Sequence, residues 1–199
     1  MQTLDFRQNI VLENETVLLR PLVDTDYQHL LEFSIHEPEI WQYSLIQASS
    51  PEKLKQYIQI AIAARNAENE YPFIVYDKRQ GKYAGSTRYY DMQLASKVLQ
   101  LGYTWYGKDF QGSGLNKHCK FLLLSYAFET MGIERVEFRA DSNNTKSIAA
   151  MKSIGCVEEG ILRSNTIKPD GTRRDSIVLS ILKQEWEQAV KEHLTKRLQ

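Results

Sequence analysis

Apolar and polar residues alternate along 99–105, with Leu99, Leu101, Tyr103 and Trp105 set against Gln100, Gly102 and Thr104, the two-residue period of a strand with one buried face. The same period returns at 135–141, where Val136, Phe138 and Ala140 alternate with Arg135, Glu137 and Arg139. Between these strands, residues 115–131 are apolar at Cys119, Phe121, Leu122, Leu123, Leu124, Ala127 and Phe128. That spread is too broad for a surface helix and predicts a largely buried one, stopped at Gly132, where glycine accepts the positive φ of a helix C-terminus. Strand, glycine loop, helix and strand make one βαβ-like unit, so its two strands are expected to be parallel.

Around this unit the pattern predicts a strand at 17–20 closed by Pro21, then a helix opened by Asp24 with Tyr27, Leu30 and Leu31 at helical spacing. Ser50-Pro51-Glu52 joins an N-cap serine, a proline at the first helical position and an acid in the first turn; Leu54, Tyr57, Ile58, Ala61 and Arg65 follow on one face. Residues 73–76 and 83–90 are β-rich and separated by a hairpin-length loop ending at Gly81. A helix is expected at 143–153, ended at Gly155, and an antiparallel pair at 160–168 and 172–182 around Pro169-Asp170-Gly171. The tail from Lys183 spaces Trp186, Val190 and Leu194 four apart, with Glu187–Lys191 and Glu192–Lys196 as i,i+4 ion pairs, which predicts an amphipathic helix. The order is β, α, α, β, β, β, glycine loop, α, β, α, β, β, α. This is an α/β chain with a mixed sheet and helices on both faces, expected to form a single domain over residues 1–199.

Composition narrows the function classes. Lysine plus arginine equals aspartate plus glutamate, 25 each, so no excess positive field exists to hold a nucleic-acid backbone. The start, MQTLDFRQNIVLENETV, has no basic segment followed by an apolar core, and no window approaches the ~20 apolar residues that span a bilayer, so a cytoplasmic protein is expected. Cys119 and Cys156 stand apart from each other and from any His cluster; they read as small core residues, and no metal site is expected.

The stretch Asp109-Phe110-Gln111-Gly112-Ser113-Gly114-Leu115-Asn116-Lys117 carries the candidate chemistry. It lacks the lysine and hydroxyl that a Walker loop places after its last glycine, and Lys117 stands where a dinucleotide loop wants a third glycine. A plain strand-to-helix turn and a phosphate cradle both remain open. For the second, the amides of 112–116 would lie unobstructed at the positive end of a buried helix, where an anion is favoured. Lys117 and Lys120, in the first turn and a half, would either add charge to that cradle or lie on a solvated face.

Gln111-Gly112-Ser113-Gly114 resembles the Q/R-x-x-G-x-G/A segment by which GCN5-related N-acetyltransferases (GNAT) hold acetyl-coenzyme A. Asn144-Thr145-Lys146-Ser147 through Gly155 is similar to the N-x-x-S...G helix of the ribosomal-protein N-terminal acetyltransferases, and Leu19-Arg20-Pro21-Leu22 with Asp24 and Asp26 looks like their amino-terminal segment. The resemblance covers nearly the whole chain. It implies a mostly antiparallel central sheet with one parallel pair that splays apart. It also implies diphosphate binding by amides of Gln111, Gly112, Ser113, Gly114, Leu115 and Asn116, and pantetheine pairing along Gly102, Tyr103, Thr104, Trp105 and Tyr106. Asn144 would orient the pantetheine or cap its helix, and Ser147 would serve the departing thiolate or bond back to its own helix.

Two departures stand out: the last place of the segment is Asn116 rather than Gly or Ala, and Met151 stands where many relatives place a proton-giving tyrosine. The base that accepts the amine proton is sought among Glu137, Asp91, Glu39 and His36, and the amine pocket among Trp41, Tyr43, Tyr89, Tyr90 and Trp105. The expected reaction is direct attack of a primary amine, of a protein N-terminus or a small molecule such as a polyamine or aminoglycoside, on acetyl-CoA by a monomer or homodimer without a metal. The rivals are an acyl-CoA-binding protein without catalysis and a nucleotide-dependent oxidoreductase.

Overall fold

A computed structural model of the chain describes residues 4–198; Met1–Thr3, the first residues of the amino terminus read above, lie outside the described residues. The elements run β1 (Leu12–Glu13), β2 (Val17–Pro21), α1 (Tyr27–His36), α2 (Pro51–Asn66), β3 (Tyr71–Asp77), β4 (Lys82–Gln93), β5 (Val98–Tyr106), α3 (Leu115–Ser125), β6 (Arg135–Asp141), α4 (Thr145–Ser153), β7 (Val157–Ile167), β8 (Arg173–Leu182), α5 (Lys183–Glu185) and α6 (Lys191–Lys196). The predicted order is present, with β1 added as a two-residue partner of β2. Helix α3 continues as a π-turn over Tyr126–Thr130, and a second π-turn, Trp186–Val190, joins α5 to α6.

The eight strands form one sheet in the order β1-β2-β3-β4-β5-β6-β8-β7. Every neighbouring pair is antiparallel except β5 and β6, which α3 connects as a parallel crossover. The sheet's two faces carry separate apolar cores. Leu54, Tyr57, Ile58 and Ala61 of α2 pack with Trp41, Ile74 and Trp105 on one face. Leu123, Leu124 and Phe128 pack with Trp186, Leu194 and the inward residues Leu99, Leu101, Val136 and Phe138 on the other. The alternation expected to bury one face along 99–105 does not hold: Leu99 and Leu101 enter one core and Trp105 the other, because β5 takes an extra residue between them.

Local chemistry fixes the element ends. Ser50 caps α2 by accepting the Lys53 amide at 3.3 Å, with Pro51 at the first helical position. The Leu19-Arg20-Pro21-Leu22 segment is a clamp: Arg20 forks onto both oxygens of the buried Asp26, at 2.9 and 2.6 Å, and donates to the Tyr83 hydroxyl at 2.8 Å. In the tail, Glu192 and Lys196 pair at 2.6 Å as expected, whereas Lys191 reaches Glu129 of the π-turn at 3.0 Å instead of Glu187. That contact, with Trp186 Nε1 donating to Glu129 at 2.8 Å, ties the tail to the end of α3.

The feature that positions the site is a break in pairing. β5 and β6 meet only at Val98–Arg135, Leu99–Val136 and Gln100–Glu137. Beyond these, β5 runs on to Tyr106 against β4 alone, and β6 to Asp141 against β8 alone. A register shift between Ser86 and Arg88 coincides with the break, and in it Tyr103 takes a left-handed φ of 48°. The bulge adds a residue to β5 and turns the strand away from β6, so the sheet opens as a wedge from position 101 onward.

Candidate active site

The glycine loop closes the mouth of this wedge. Gly112 and Gly114 have φ of 74° and 86°, conformations that favour glycine, and a Cβ on either would meet nothing within 4 Å. The loop is therefore open on its outer side, which a purely structural turn does not require. Among the described residues, no protein acceptor takes the amides of Gly112, Ser113, Gly114 or Asn116. The Gln111 amide, expected among the free donors, is taken by the Lys108 carbonyl at 3.0 Å, and the Leu115 amide leans on Ser113 Oγ at 3.4 Å. Four unpaired donors at the head of α3 are a site for an anion.

Side chains hold the loop in that shape. Gln111 Nε2 donates to the Tyr106 carbonyl at 2.8 Å, while its oxygen accepts from Lys146 of α4 at 2.5 Å. Arg79, from the β3–β4 turn, donates to the Ser113 carbonyl at 3.2 Å and pairs with Asp77 at 3.0 Å. Burial acts to raise the Asp77 carboxyl, but Arg79 and the amides of Arg79 and Gln80 outweigh it and hold the carboxyl below its ordinary value. Asn116 turns inward and accepts from the Tyr106 hydroxyl at 3.3 Å, so the residue that departs from the small-residue pattern leaves the loop's outer side clear.

Of the two lysines, Lys117 stays half-buried in the first turn of α3. Lys120 does not reach toward the loop and is not solvated: its side chain is buried beneath the wedge, 2.8 Å from Thr104 Oγ1. Sequence reasoning misplaced it because a helix opening with Lys-His-Cys-Lys reads as a charged surface.

Asn144 caps α4, its side-chain oxygen accepting the Ser147 amide at 3.0 Å. Ser147 itself is half-buried in the first turn of α4, and its hydroxyl bonds no other described residue. Met151 is buried in the core one turn further on.

Glu137 stands at the last paired position before the strands part. Arg135 approaches one of its oxygens at 3.0 Å and Arg139 the other at 2.7 Å. The other carboxyl candidates lie elsewhere. Asp91 accepts from Gln100 at 2.6 Å, Glu39 is exposed and paired with Lys108, and His36 is exposed and paired with Glu32.

Opposite α3, the second face of the wedge is aromatic. Tyr103 and Tyr90 meet edge-on with centroids 4.9 Å apart, the Tyr90 ring lies over Gly102, and Tyr57 of α2 completes the group. Burial raises both the Tyr90 and the Tyr103 hydroxyls above their ordinary value. Trp41, Tyr89 and Trp105, read as pocket candidates, are core residues: Trp41 and Trp105 pack at 4.8 Å, and the Tyr89 hydroxyl is spent on the Leu123 carbonyl at 2.6 Å.

Arg88, missed in the sequence, lies fully buried here. It pairs with Glu70 at 2.6 Å and lies 4.9 and 4.2 Å from the ring centroids of Tyr57 and Tyr103. The only signal was a cation in the middle of a β-rich run.

An open wedge with donors at its mouth can take an extended chain of amides ending in a diphosphate, since unpaired strand edges demand hydrogen-bond partners. Comparison with known proteins bears on the family and the fold. Residues 16–157 match the family model described as acetyltransferase (GNAT) domain. The chain is 28% identical over 181 residues to "Putative ribosomal N-acetyltransferase YdaF" of Bacillus subtilis (strain 168), covering 87% of this chain and 95% of the relative. A crystal structure described as that of a "putative acetyltransferase" from T. thermophilus is 32% identical, superposes with a TM-score of 0.86 and covers 95% of this chain and 97% of its own. That of a GCN5-related N-acetyltransferase from Brucella melitensis, at 23% identity, shares the fold with a TM-score of 0.88 over 98% of this chain and 88% of its own. With this match over most of its length, and with the wedge and loop described above, the chain belongs to the GNAT acetyltransferase family.

Proposed function

We propose that the protein transfers the acetyl group of acetyl-coenzyme A to a primary amine, and that the acceptor is the α-amine of a protein amino terminus. The observation that carries this reading is the loss of β5–β6 pairing after Gln100 and Glu137, directly behind four unoccupied amides. The open Cβ positions of Gly112 and Gly114 leave room for the cosubstrate's diphosphate. The amides of Gly112, Ser113, Gly114 and Asn116 would hold it, and the free edge of β5 from Leu101 to Tyr106 would pair with the pantetheine. Bound there, acetyl-CoA supplies an activated acyl group.

The chain's own residues then have separable tasks. Tyr90 and Tyr103, backed by the buried Tyr57, line the face from which the amine arrives. A free α-amine has pKa ~8 and must shed a proton, which Glu137 accepts through water while Arg135 and Arg139 hold its carboxylate in place. Ser147 Oγ, without a partner among the described residues, hydrogen-bonds the sulfur. The similarity to a relative named as a ribosomal N-acetyltransferase favours a protein acceptor over a polyamine or aminoglycoside.

The test is thiol release from acetyl-CoA across a panel of amino-terminal peptides, polyamines and aminoglycosides. Release with a peptide supports the proposal, and release only with a small amine reassigns the acceptor. Thermal stabilisation by acetyl-CoA without release from any amine identifies an acyl-CoA-binding protein. Stabilisation by a nicotinamide dinucleotide, and none by coenzyme A, overturns the reading altogether.

A further inference from the structure

Lys120 is a buried ammonium on α3, 5% exposed, and among the described residues no carboxylate lies within ion-pairing distance of it. Its Nζ donates to Thr104 Oγ1 at 2.8 Å and reaches Thr87 Oγ1 only at 3.5 Å. The two hydroxyls are already joined to each other at 2.7 Å. With three N–H groups, the ammonium has at least one donor left over. Thr104 belongs to β5, whereas the Phe138 ring, 5.8 Å from Nζ, belongs to β6. Both lie past the last paired position, so the charge sits under the open wedge and spans it from the α3 side.

An uncompensated buried cation is costly, and Leu115, Cys119, Leu123 and Leu124 around it form an apolar surface that a leucine would complete. Such a violation of core chemistry is expected where a ligand needs it. The aromatic face from which the amine arrives is on the opposite side of the sheet, so a departing group is pushed toward the α3 side. Met151 supplies no proton there.

We propose that the Lys120 ammonium is the proton donor to the coenzyme A sulfur as it leaves the acetyl group. The inference rests on the acetyl-transfer reading. The amine nitrogen forms the C–N bond, the C–S bond breaks, and its electron pair takes a proton from Nζ. Before attack the amine gives one proton through water to Glu137, which passes it to solvent; the second proton, lost from nitrogen as the amide forms, is relayed through water to restore the ammonium, so the enzyme ends unchanged and no further reactant is needed.

Acidity is matched to the task. Burial pulls the Lys120 ammonium down to about 8, near the ~8.5 of a free thiol. The titratable groups facing it are Cys119 on its own helix and Cys156 after α4, both pushed up to about 12 by burial, and Tyr106 of β5, raised well above its ordinary value by burial. All three stay neutral through pH 8; β6 presents Phe138, and β4 presents Thr87 and Tyr89, whose hydroxyl burial also raises well above its ordinary value. An alkaline decline near pH 8 is therefore assigned to Lys120, whereas the acceptor α-amine, also at ~8, raises the rate as it deprotonates.

The experiment compares wild type with Lys120→Met and Lys120→Gln, using the acceptor found by thiol release. We expect kcat to fall by about 10²-fold in both variants with KM for acetyl-CoA within about threefold, the range of a lost general acid. The alkaline decline of kcat/KM for acetyl-CoA near pH 8, measured at saturating acceptor, should vanish in both and persist in Ser147→Ala. Calorimetry adds a readout without turnover: wild type should prefer coenzyme A to desulfo-coenzyme A by roughly tenfold, and Lys120→Met should lose most of that preference, Ser147 keeping the remainder.

Full activity in Lys120→Gln, or an unchanged pH limb in either variant, overturns the assignment, as would acetyl-Lys120 in the mass of wild type after turnover. Wild type that neither binds acetyl-CoA nor releases thiol fails the acetyl-transfer reading itself. Wild-type turnover with active variants fails only the lysine assignment.

Discussion

Two single substitutions separate the proposed cosubstrate contacts from the proposed chemistry. Gly114→Val forces a β-branched residue to a φ of 86° and puts its side chain into the open side of the loop. Folding stability should fall by about 1–2 kcal/mol in a denaturant titration. Calorimetric affinity for acetyl-CoA should fall at least ~10-fold, as expected when hydrogen bonds to a charged group are lost. Glu137→Gln keeps the shape of the carboxylate and removes its basicity. Steady-state kinetics should show kcat down by about 10²-fold at pH 7, with KM for acetyl-CoA little changed. If kcat is unaffected, the carboxylate is only an anchor for Arg135 and Arg139.

At the scale of elements, α4 is held by one cap, the Asn144 side chain on the Ser147 amide. Asn144→Ala should cost about 1 kcal/mol of stability, and Asn144→Ser much less. If the Asn144 side chain also orients the cosubstrate, KM for acetyl-CoA will rise in both variants, whereas a cap alone changes it only in proportion to the lost stability. The elements themselves were legible because most bury one face: the alternation at 135–141 and the broad apolar stripe of α3 follow from burial alone, whereas the run at 99–105 changes face at the bulge, sending Leu99 and Leu101 to one core and Trp105 to the other. The wedge was not legible from periodicity. Val136 and Phe138 alternate identically with and without a partner strand, and only the resemblance to splayed-sheet enzymes suggested a gap. The bulge that opens it depends on Tyr103 taking a left-handed conformation, for which a tyrosine gives no sequence signal.

For the whole molecule, the two cores on opposite faces of the sheet explain which charged residues the sequence concealed. Arg88 and Lys120 lie in runs that look like ordinary strand and helix surface, and only the packing of α2 and α3 onto the sheet encloses them. The glycine loop, by contrast, was legible as a turn before a helix, and the resemblance rather than the two glycines alone marked it as a cradle.

Lys120 also leaves a mark on global stability. Its pKa is about 8 in the folded protein and ~10.4 in the unfolded chain. Between those values the unfolded chain binds more protons, so this group's contribution to stability rises with pH at up to about 1.4 kcal/mol per unit. The raised Cys119 and Cys156 thiols act in the opposite direction above their unfolded values, but they are common to wild type and variant. Denaturant titrations should therefore find Lys120→Met more stable than wild type at pH 7, with the difference shrinking from pH 8 to 10.

The central claim is that main-chain donors at the head of α3 receive the diphosphate of the cosubstrate. Amide proton–nitrogen NMR during a titration with coenzyme A tests it most directly. The account predicts saturable downfield proton shifts at Gly112, Ser113, Gly114 and Asn116, with Gln111 and Lys117 moving less because the Lys108 and Gly114 carbonyls already hold their amides. Saturable binding that leaves those four resonances in place would contradict it.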